Sequence, residues 1–238
     1  MDTVHEVLER AWNAHSAGEF DAALRDYIWL FDATTTDEET APLRLSYVLA
    51  AWAKLAEEHL PARQELVVLR DRLTQQLAIE PALFHDIRVI NDKLGDLQNT
   101  YHLFQRLPQA QAQQNARAAL PSLMACGDYA LAQRYLPHPE HHLALAAMQL
   151  NELKNNINVL TTEGMAELLA DVFNYTTEVM LVLDLLNGCG DTAAAAIARQ
   201  QAVSLVQSPE ARACVQAELD APGSTLDAMV ELQNSVTA

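Results

Sequence analysis

The segment His138–His142 holds three histidines and a glutamate, the densest group of potential metal ligands in the chain. Histidine and carboxylate side chains bind transition metals when several of them converge on one point. Pro139 is typical of the first turn of a helix, so His138 stands at the cap and the two later histidines point in different directions. No second group of Cys, His or Asp at ligand spacing accompanies this segment. We therefore interpret it as an exposed helix start and predict neither a metal site nor a cofactor.

A second candidate is the dipeptide His85-Asp86, which resembles the paired metal ligand of the all-helical HD phosphohydrolases. That family also uses an earlier histidine and a later aspartate on other helices, and His59 and Asp128 are available for those roles. The resemblance implies a helical metal-dependent hydrolase built around His59, His85 and Asp86, which we retain as the alternative function. The chain lacks a Gly-rich phosphate loop, a G-x-S-x-G elbow and an H-E-x-x-H motif. We therefore expect no catalytic residues and favour a protein that is not an enzyme.

Acidic side chains form a third candidate site. The chain carries 15 Lys and Arg against 32 Asp and Glu, a formal net charge of -17, and residues 161–238 alone hold 11 acidic and 2 basic side chains. Four carboxylates there recur at intervals that keep them within about 80° of one another on a helix. We name them the acidic stripe: Glu163, Glu167, Asp171 and Glu178. They repel one another, because no cation lies four residues away to compensate them.

The acidic stripe has two possible roles. One is a solvated face that keeps the protein soluble, and the other is a docking surface that steers a basic protein or peptide. The docking role predicts four exposed carboxylates on one side of a helix. The other side of that helix should bury Leu168, Leu169, Val172 and Leu183. The same net charge disfavours a phosphate backbone or an anionic membrane, so we expect neither nucleic acid nor a membrane as partner. The oligomeric state stays open.

Compartment signals favour the cytoplasm. The first residues lack the basic start and apolar stretch of a signal peptide, and Thr3 with Glu6 instead matches a helix capping box. The most apolar run, 179–186, contains Asp184 and is far shorter than the roughly 18 residues of a membrane span. We predict a buried helix there. Three cysteines without C-x-x-C spacing fit a reducing compartment.

Helical periodicity runs along most of the chain. The apolar stripes are Phe20, Ala23, Leu24, Tyr27 and Phe31; Leu45, Val48, Leu49 and Trp52; Leu66, Leu69, Leu73 and Leu77; Ile87, Ile90, Leu94 and Leu97; and Leu143, Ala147, Leu150, Ile157 and Leu160. Cap residues precede further helices at Thr36 with Glu39, at Ser208-Pro209, and at Ser224 with Asp227. No segment alternates with a period of two for long. The pattern predicts an all-α fold of roughly ten to twelve helices with short connections.

Three segments share a Gly, then an acid, then an Ala five places after the Gly: Gly18–Ala23, Gly127–Ala132 and Gly190–Ala195. Glycine takes the left-handed conformation that ends a helix, and an acid is favoured in the first turn of the next helix. The small alanine then allows close helix packing. These segments predict tight turns between antiparallel helices.

The three segments resemble the tetratricopeptide repeat, a helix-turn-helix unit of about 34 residues with a small residue at the helix contact and an aromatic residue four positions later. Ala23 with Tyr27 matches that spacing, Ala132 with Leu136 comes close, and Arg199 takes the aromatic position of the third unit. The resemblance implies stacked antiparallel hairpins in a right-handed superhelix with irregular repeats. We expect a single helical-repeat domain over 1–238, with a possible sub-boundary near 108–110.

Large aromatic residues are concentrated in the first third of the chain, at Trp12, Tyr27, Trp29, Tyr47 and Trp52. Aromatic residues at helical spacing usually belong to the core, and any that are exposed would be anchors of a binding face. The sequence thus favours a non-enzymatic protein-protein interaction scaffold, such as an adaptor, a chaperone or a neutralising partner. It would bind a basic protein or peptide through the acidic stripe.

Overall fold

Helices make up most of the described residues, and short turns join them. The computed structural model describes residues 3–35, 40–154 and 157–237. No β-strand occurs in these ranges, which confirms the predicted all-α fold. The helices are α1 (Val4–Ser16), α2 (Phe20–Ala33), α3 (Ala41–Leu43), α4 (Leu49–Glu58), α5 (Leu60–Gln76), α6 (Leu83–Leu94), α7 (Leu97–Gln105), α8 (Gln109–Ala125), α9 (Tyr129–Tyr135), α10 (Pro139–Lys154), α11 (Thr162–Gly188), α12 (Thr192–Ser204), α13 (Pro209–Asp220) and α14 (Ser224–Thr237). A π-helical segment, Arg44–Val48, joins α3 to α4.

Contacts divide the chain into two compact units, residues 1–122 and 123–238. In the first unit, helices that follow one another pack together as hairpins: α1 with α2, α4 with α5, and α5 with α6. α2 also packs against α4, where the rings of Phe31 and Trp52 meet edge to face with centroids 6.3 Å apart. α2 therefore supports both α1 and α4. The division between the two units falls after residue 122, within α8, and not near the predicted sub-boundary at 108–110.

The second unit is arranged around α11, which contacts α9, α10, α12, α13 and α14. Its apolar run 179–186 lies within this helix and is buried at Val179, Val182 and Leu185, as predicted. The Tyr175 hydroxyl of α11 donates a hydrogen bond of 2.7 Å to the Ala202 carbonyl oxygen of α12. No helix in the described ranges is both long enough and apolar enough to cross a membrane.

The turns between helices follow the Gly-acid pattern. Gly18, Gly127 and Gly190 have φ values of 77, 79 and 82°, in the left-handed region that glycine adopts without strain. Asp128 and Asp191 then cap the next helix, because each side chain accepts a hydrogen bond from the backbone amide three residues on. The alanines five places after these three glycines are all buried, which fits close helix packing.

Two of the predicted cap positions, Thr3 and Ser208, are confirmed. Thr3 and Glu6 form both hydrogen bonds of a capping box, and Ser208 accepts from the Ala211 amide at the start of α13. α14 begins at Ser224, but this residue lies within the helix and its hydroxyl donates to Glu218 Oε2, so the predicted cap by Ser224 is wrong. The proposed cap at Thr36 with Glu39 lies outside the described residues.

The apolar stripe predicted from Leu143 to Leu160 is longer than α10. α10 ends at Lys154, whereas the stripe continues to Leu160, whose side chain is 93% exposed. Local hydrogen bonds explain the break: Asn158 Oδ1 accepts from the Leu160 amide, and the Thr161 hydroxyl caps α11 by accepting from the Gly164 amide. Leu160 therefore lies in a turn between two helices rather than on α10.

Candidate functional site

The acidic stripe lies on α11, and the opposite side of this helix is buried. Leu168, Leu169, Val172 and Leu183 are the buried residues, as the spacing predicts. Glu163 and Glu167 are exposed, and Asp171 is half-buried. None of these three carboxylates has a hydrogen bond or ion pair within the described part of the chain. They form an uncompensated negative patch on the outward side of α11.

The surroundings of Asp171 disfavour its negative charge. Partial burial raises the pKa of the Asp171 carboxyl above its usual value, and the negative charge of Glu167 one turn away raises it further. Both causes disfavour the ionised form of Asp171. A cation placed beside these two residues would therefore relieve the repulsion between them.

Glu178 does not belong to the exposed patch, so the prediction of four exposed carboxylates is wrong at this position. Its Oε2 lies 2.7 Å from Nε2 of His142 on α10, and its side chain is only 21% exposed. The spacing places Glu178 on the same side of α11 as the others. α10 packs against α11 at this level, however, and supplies His142 as a partner. Glu178 joins two helices of the second unit.

The residues of the alternative hydrolase have other partners. His59 Nε2 lies 2.9 Å from Asp21 Oδ1, and Asp86 Oδ2 lies 2.6 Å from Arg44 Nη1. Asp128 caps α9. No group of three or more His, Cys, Asp or Glu that could hold a metal ion occurs among the described residues. The geometry does not assemble the ligand set that the HD resemblance implies.

A groove lies between α1 and α4 in the first unit, with α2 beneath it. Its cavity volume is about 760 Å³, and side chains from all three helices and the π-helical segment line it. We name it the α1–α4 groove and define it by its largely apolar lining: Leu8, Trp12, Tyr27, Tyr47, Ala50 and Ala51. A groove of this size lies within the range of about 300–1,000 Å³ that is typical of ligand sites.

Two aromatic side chains of the groove are exposed. Trp12 is 57% and Tyr47 67% exposed, whereas Tyr27 and Trp52 are buried. The expectation that the aromatic cluster is core is therefore wrong for Trp12 and Tyr47, and also for Trp29, which is 40% exposed. α1 packs through Val7, Ala11 and Ala14. Trp12 follows Ala11 by one residue, so it points about 100° away from that buried face.

Polar groups lie at the edge and on the floor of the groove. Glu9 of α1 and Lys54 of α4 line it from opposite walls, both exposed, and neither has an ion pair within the described ranges. Tyr27 of α2 is fully buried on the floor, and its hydroxyl has no hydrogen-bond partner in the described part of the molecule. Burial raises the pKa of Tyr27, so this hydroxyl keeps its proton.

The π-helical segment supplies one wall of the groove with Ser46 and Tyr47. Arg44 begins this segment, and its guanidinium is held between Asp86 of α6 and the ring of Phe31, 5.4 Å from the ring centroid. π-helical turns are frequent at functional sites because they change which side chains a helix presents. Arg44 thus joins the segment that carries this wall to α6 and α2.

These observations define an all-α protein built from helical hairpins, with an acidic patch in one unit and an apolar groove in the other. Comparisons of the chain with protein-family models, curated proteins and solved structures gave no match.

Proposed function

We propose that this chain is a non-enzymatic protein-protein interaction module that binds a basic protein or peptide. The observation that carries this proposal is the uncompensated patch of Glu163, Glu167 and Asp171 on the outward side of α11. Residues 161–238 hold 11 acidic and 2 basic side chains, so the patch belongs to a strongly negative part of the chain. Such a field increases the rate at which a cationic partner associates and sets its orientation.

We also propose that the helical hairpins are divergent, tetratricopeptide-like repeats. Consecutive hairpins in the first unit and Gly-acid turns in both units support that resemblance, and stacked hairpins commonly present surfaces to peptides and proteins. We expect the module to act in the cytoplasm, since its three free cysteines suit a reducing compartment. We do not expect nucleic acid as partner, because the phosphate backbone would meet repulsion.

Charge reversal on α11 tests the proposal. The double variant Glu167→Lys/Asp171→Lys should bind a fluorescein-labelled oligolysine peptide more weakly than the wild type, and the dependence of affinity on salt should flatten. The matched control is Asp227→Lys/Glu231→Lys on α14, which reverses two exposed carboxylates with the same spacing and net charge change. Fluorescence anisotropy at several salt concentrations measures both.

The comparison of these two variants decides between docking and solubility. Selective loss of oligolysine binding in the α11 variant supports a docking surface at Glu167 and Asp171. Equal loss in both variants means that only the net charge matters, and the acidic stripe is then a solubilising surface. Pull-down from native lysate with the wild type and the α11 variant would next identify the partner whose recovery depends on the patch.

A further inference from the structure

We propose that the α1–α4 groove binds an amphipathic α-helix of a partner protein. This site goes beyond the proposed function, because the groove belongs to residues 5–54 and the acidic patch to residues 163–171. The occupant is a helix whose apolar side enters the groove. It carries a cationic side chain along one edge and a carboxylate along the other.

Helix packing favours this occupant. α1 and α4 both pack on α2, and the groove is the space that remains between them. Packed helices lie about 8–10 Å apart, and small side chains at the contact allow the closer distances. Ala50 and Ala51 form such a surface on α4, while Trp12 and Tyr47 stand exposed beside them. A helix lying on α2 would bury both aromatic rings and contact the alanines.

The exposed aromatic residues supply the expected anchors. Tryptophan and tyrosine are enriched among the few residues that dominate the affinity of protein interfaces. An amphipathic helix places apolar side chains three and four residues apart along one face, which suits an apolar groove lined by α1 and α4. The groove is open to solvent along this face, since Trp12 and Tyr47 are both more than half exposed.

The charged side chains at the two edges of the groove determine which charges the bound helix should carry along its own two edges. Glu9 on α1 and Lys54 on α4 have no ion-pair partner in the described ranges. A helix with a cation toward α1 and a carboxylate toward α4 would satisfy both. The hydroxyl of Tyr27, buried on the floor without a partner, is a further polar group that a hydrogen-bond acceptor of the occupant could satisfy after a small movement of the lining side chains.

The test uses a fluorescein-labelled synthetic helix of about four turns, with leucines on one face, lysines along one edge and glutamates along the other. A scrambled peptide of identical composition lacks the apolar face. The wild-type protein should bind the helix with a saturable change in anisotropy and a change in tryptophan emission. The scrambled peptide should bind at least about tenfold more weakly, because it cannot place several leucines in the groove at once.

Two substitutions locate the binding site. Ala50→Arg places a long charged side chain in the groove and should abolish binding, whereas Ala170→Arg changes an exposed alanine of α11 and should leave binding unchanged. Trp12→Ala should weaken binding about tenfold or more, because it removes an anchor. Circular dichroism shows whether each variant keeps the helix content and melting temperature of the wild type. Trp12 and Ala50 are exposed, so neither change disturbs the core.

The edge charges give an independent test. Glu9→Lys and Lys54→Glu should each weaken binding of the charged helix about two- to fivefold. The double variant Glu9→Lys/Lys54→Glu should regain the wild-type affinity, because the helix can enter the groove in the opposite direction. Equal affinities of the two single variants and the wild type would show that these side chains do not contact the occupant and would overturn the stated flanks.

The proposed site fails if the wild type shows no saturable binding, if the scrambled peptide binds equally well, or if Ala50→Arg binds like the wild type. The result is distinct from that for the acidic patch, since the synthetic helix has no net charge. Glu167→Lys/Asp171→Lys should therefore bind this helix with unchanged affinity. A loss in that variant would place the helix on α11 and contradict the inference.

Discussion

Arg44 Nη1 lies 2.6 Å from Asp86 Oδ2, and this ion pair joins the π-helical segment to α6 across the first unit. Both side chains are mostly buried, with 18% and 6% of their surfaces exposed. The attraction between the two opposite charges holds the pair together. Burial raises the pKa of Asp86, while Arg44 and His85 lower it.

We expect Asp86→Asn to destabilise the protein by about 3–5 kcal/mol, because it leaves the buried Arg44 without a counter-charge. Asp92→Asn is the control on the same helix. It removes the carboxylate of the Arg88–Asp92 pair, which is more exposed, and should cost about 0–1 kcal/mol. Urea unfolding measures both. Equal and small losses of stability in the two variants would show that, without the Asp86 carboxylate, the Arg44 guanidinium contacts another group or water.

Replacing both members of the buried pair with apolar residues distinguishes the contribution of their charges from that of their packing. The double variant Arg44→Met/Asp86→Leu should recover most of the stability that Asp86→Asn loses, since neither charge is then left unpaired. If the pair also positions the groove wall, this stable variant should still show faster hydrogen exchange at residues 44–48. Exchange at the wild-type rate would limit the role of the pair to stability.

Glu218 of α13 should make the stability of the second unit depend on pH. Burial opposes its charge, but its carboxylate accepts hydrogen bonds from the Gly223 and Thr225 amides and the Ser224 hydroxyl, and these hold the pKa of Glu218 below its usual value. A lowered pKa in the folded state stabilises the protein above the unfolded pKa, and this contribution is lost as the pH falls through the folded pKa. The Glu218 side chain thus caps α14 most strongly when it is ionised, because protonation removes the charge and makes one oxygen a donor.

Glu218→Gln should therefore lower stability by about 1–3 kcal/mol near neutral pH, because one acceptor oxygen and the charge are lost. The difference from the wild type should shrink as the pH falls below about 4. Thermal unfolding from neutral to acidic pH measures it. A difference that stays constant with pH would show that the shape of the side chain matters and its charge does not.

Local patterns were predictable from the sequence because their partners are close along the chain. The Thr3–Glu6 capping box and the turns at Gly127-Asp128 and Gly190-Asp191 need only residues three to five places apart. A further turn of this kind, which was not predicted, lies at Gly95, which has a φ of 71° and is followed by the α7 cap at Asp96. The Gly-acid pair was the available signal there, but the alanine five places later is missing.

Long-range pairs could not be predicted in the same way. Glu178 and His142 are 36 residues apart, and helical spacing says which face of α11 holds Glu178 but not which helix covers that face. The α1–α4 groove likewise depends on how α1 and α4 pack on α2. The exposure of Trp12 was partly predictable, because this residue does not lie on the face of α1 that Val7, Ala11 and Ala14 form.

The difference between Glu178 and the exposed patch has a measurable consequence. Glu178→Lys should destabilise the protein, because it breaks the contact with His142 and places a cation beside it. Glu167→Lys should leave stability unchanged or slightly higher, because it relieves the repulsion with Asp171. Melting temperatures at neutral pH compare the two variants. A stable Glu178→Lys variant would return Glu178 to the exposed patch and make the His142 contact dispensable.

Two buried tyrosines should respond in opposite directions to the loss of their hydroxyls. The Tyr175 hydroxyl donates to the Ala202 carbonyl oxygen at 2.7 Å, so Tyr175→Phe should cost about 1 kcal/mol. Tyr27 is equally buried, but its hydroxyl has no partner within the described ranges. Tyr27→Phe removes an unsatisfied polar group and should raise the free energy of unfolding by about 1 kcal/mol.

Each tyrosine serves as the other's control, because the same oxygen atom is removed from the same type of side chain in a buried site. Tyr27→Phe also keeps the ring that meets His15 edge to face, with centroids 6.4 Å apart. Urea unfolding of the two variants at neutral pH gives the comparison. A loss of stability in Tyr27→Phe would mean that ordered water reaches this hydroxyl from the α1–α4 groove. The floor of the groove would then be wet in the free protein, and an occupant would have to displace that water.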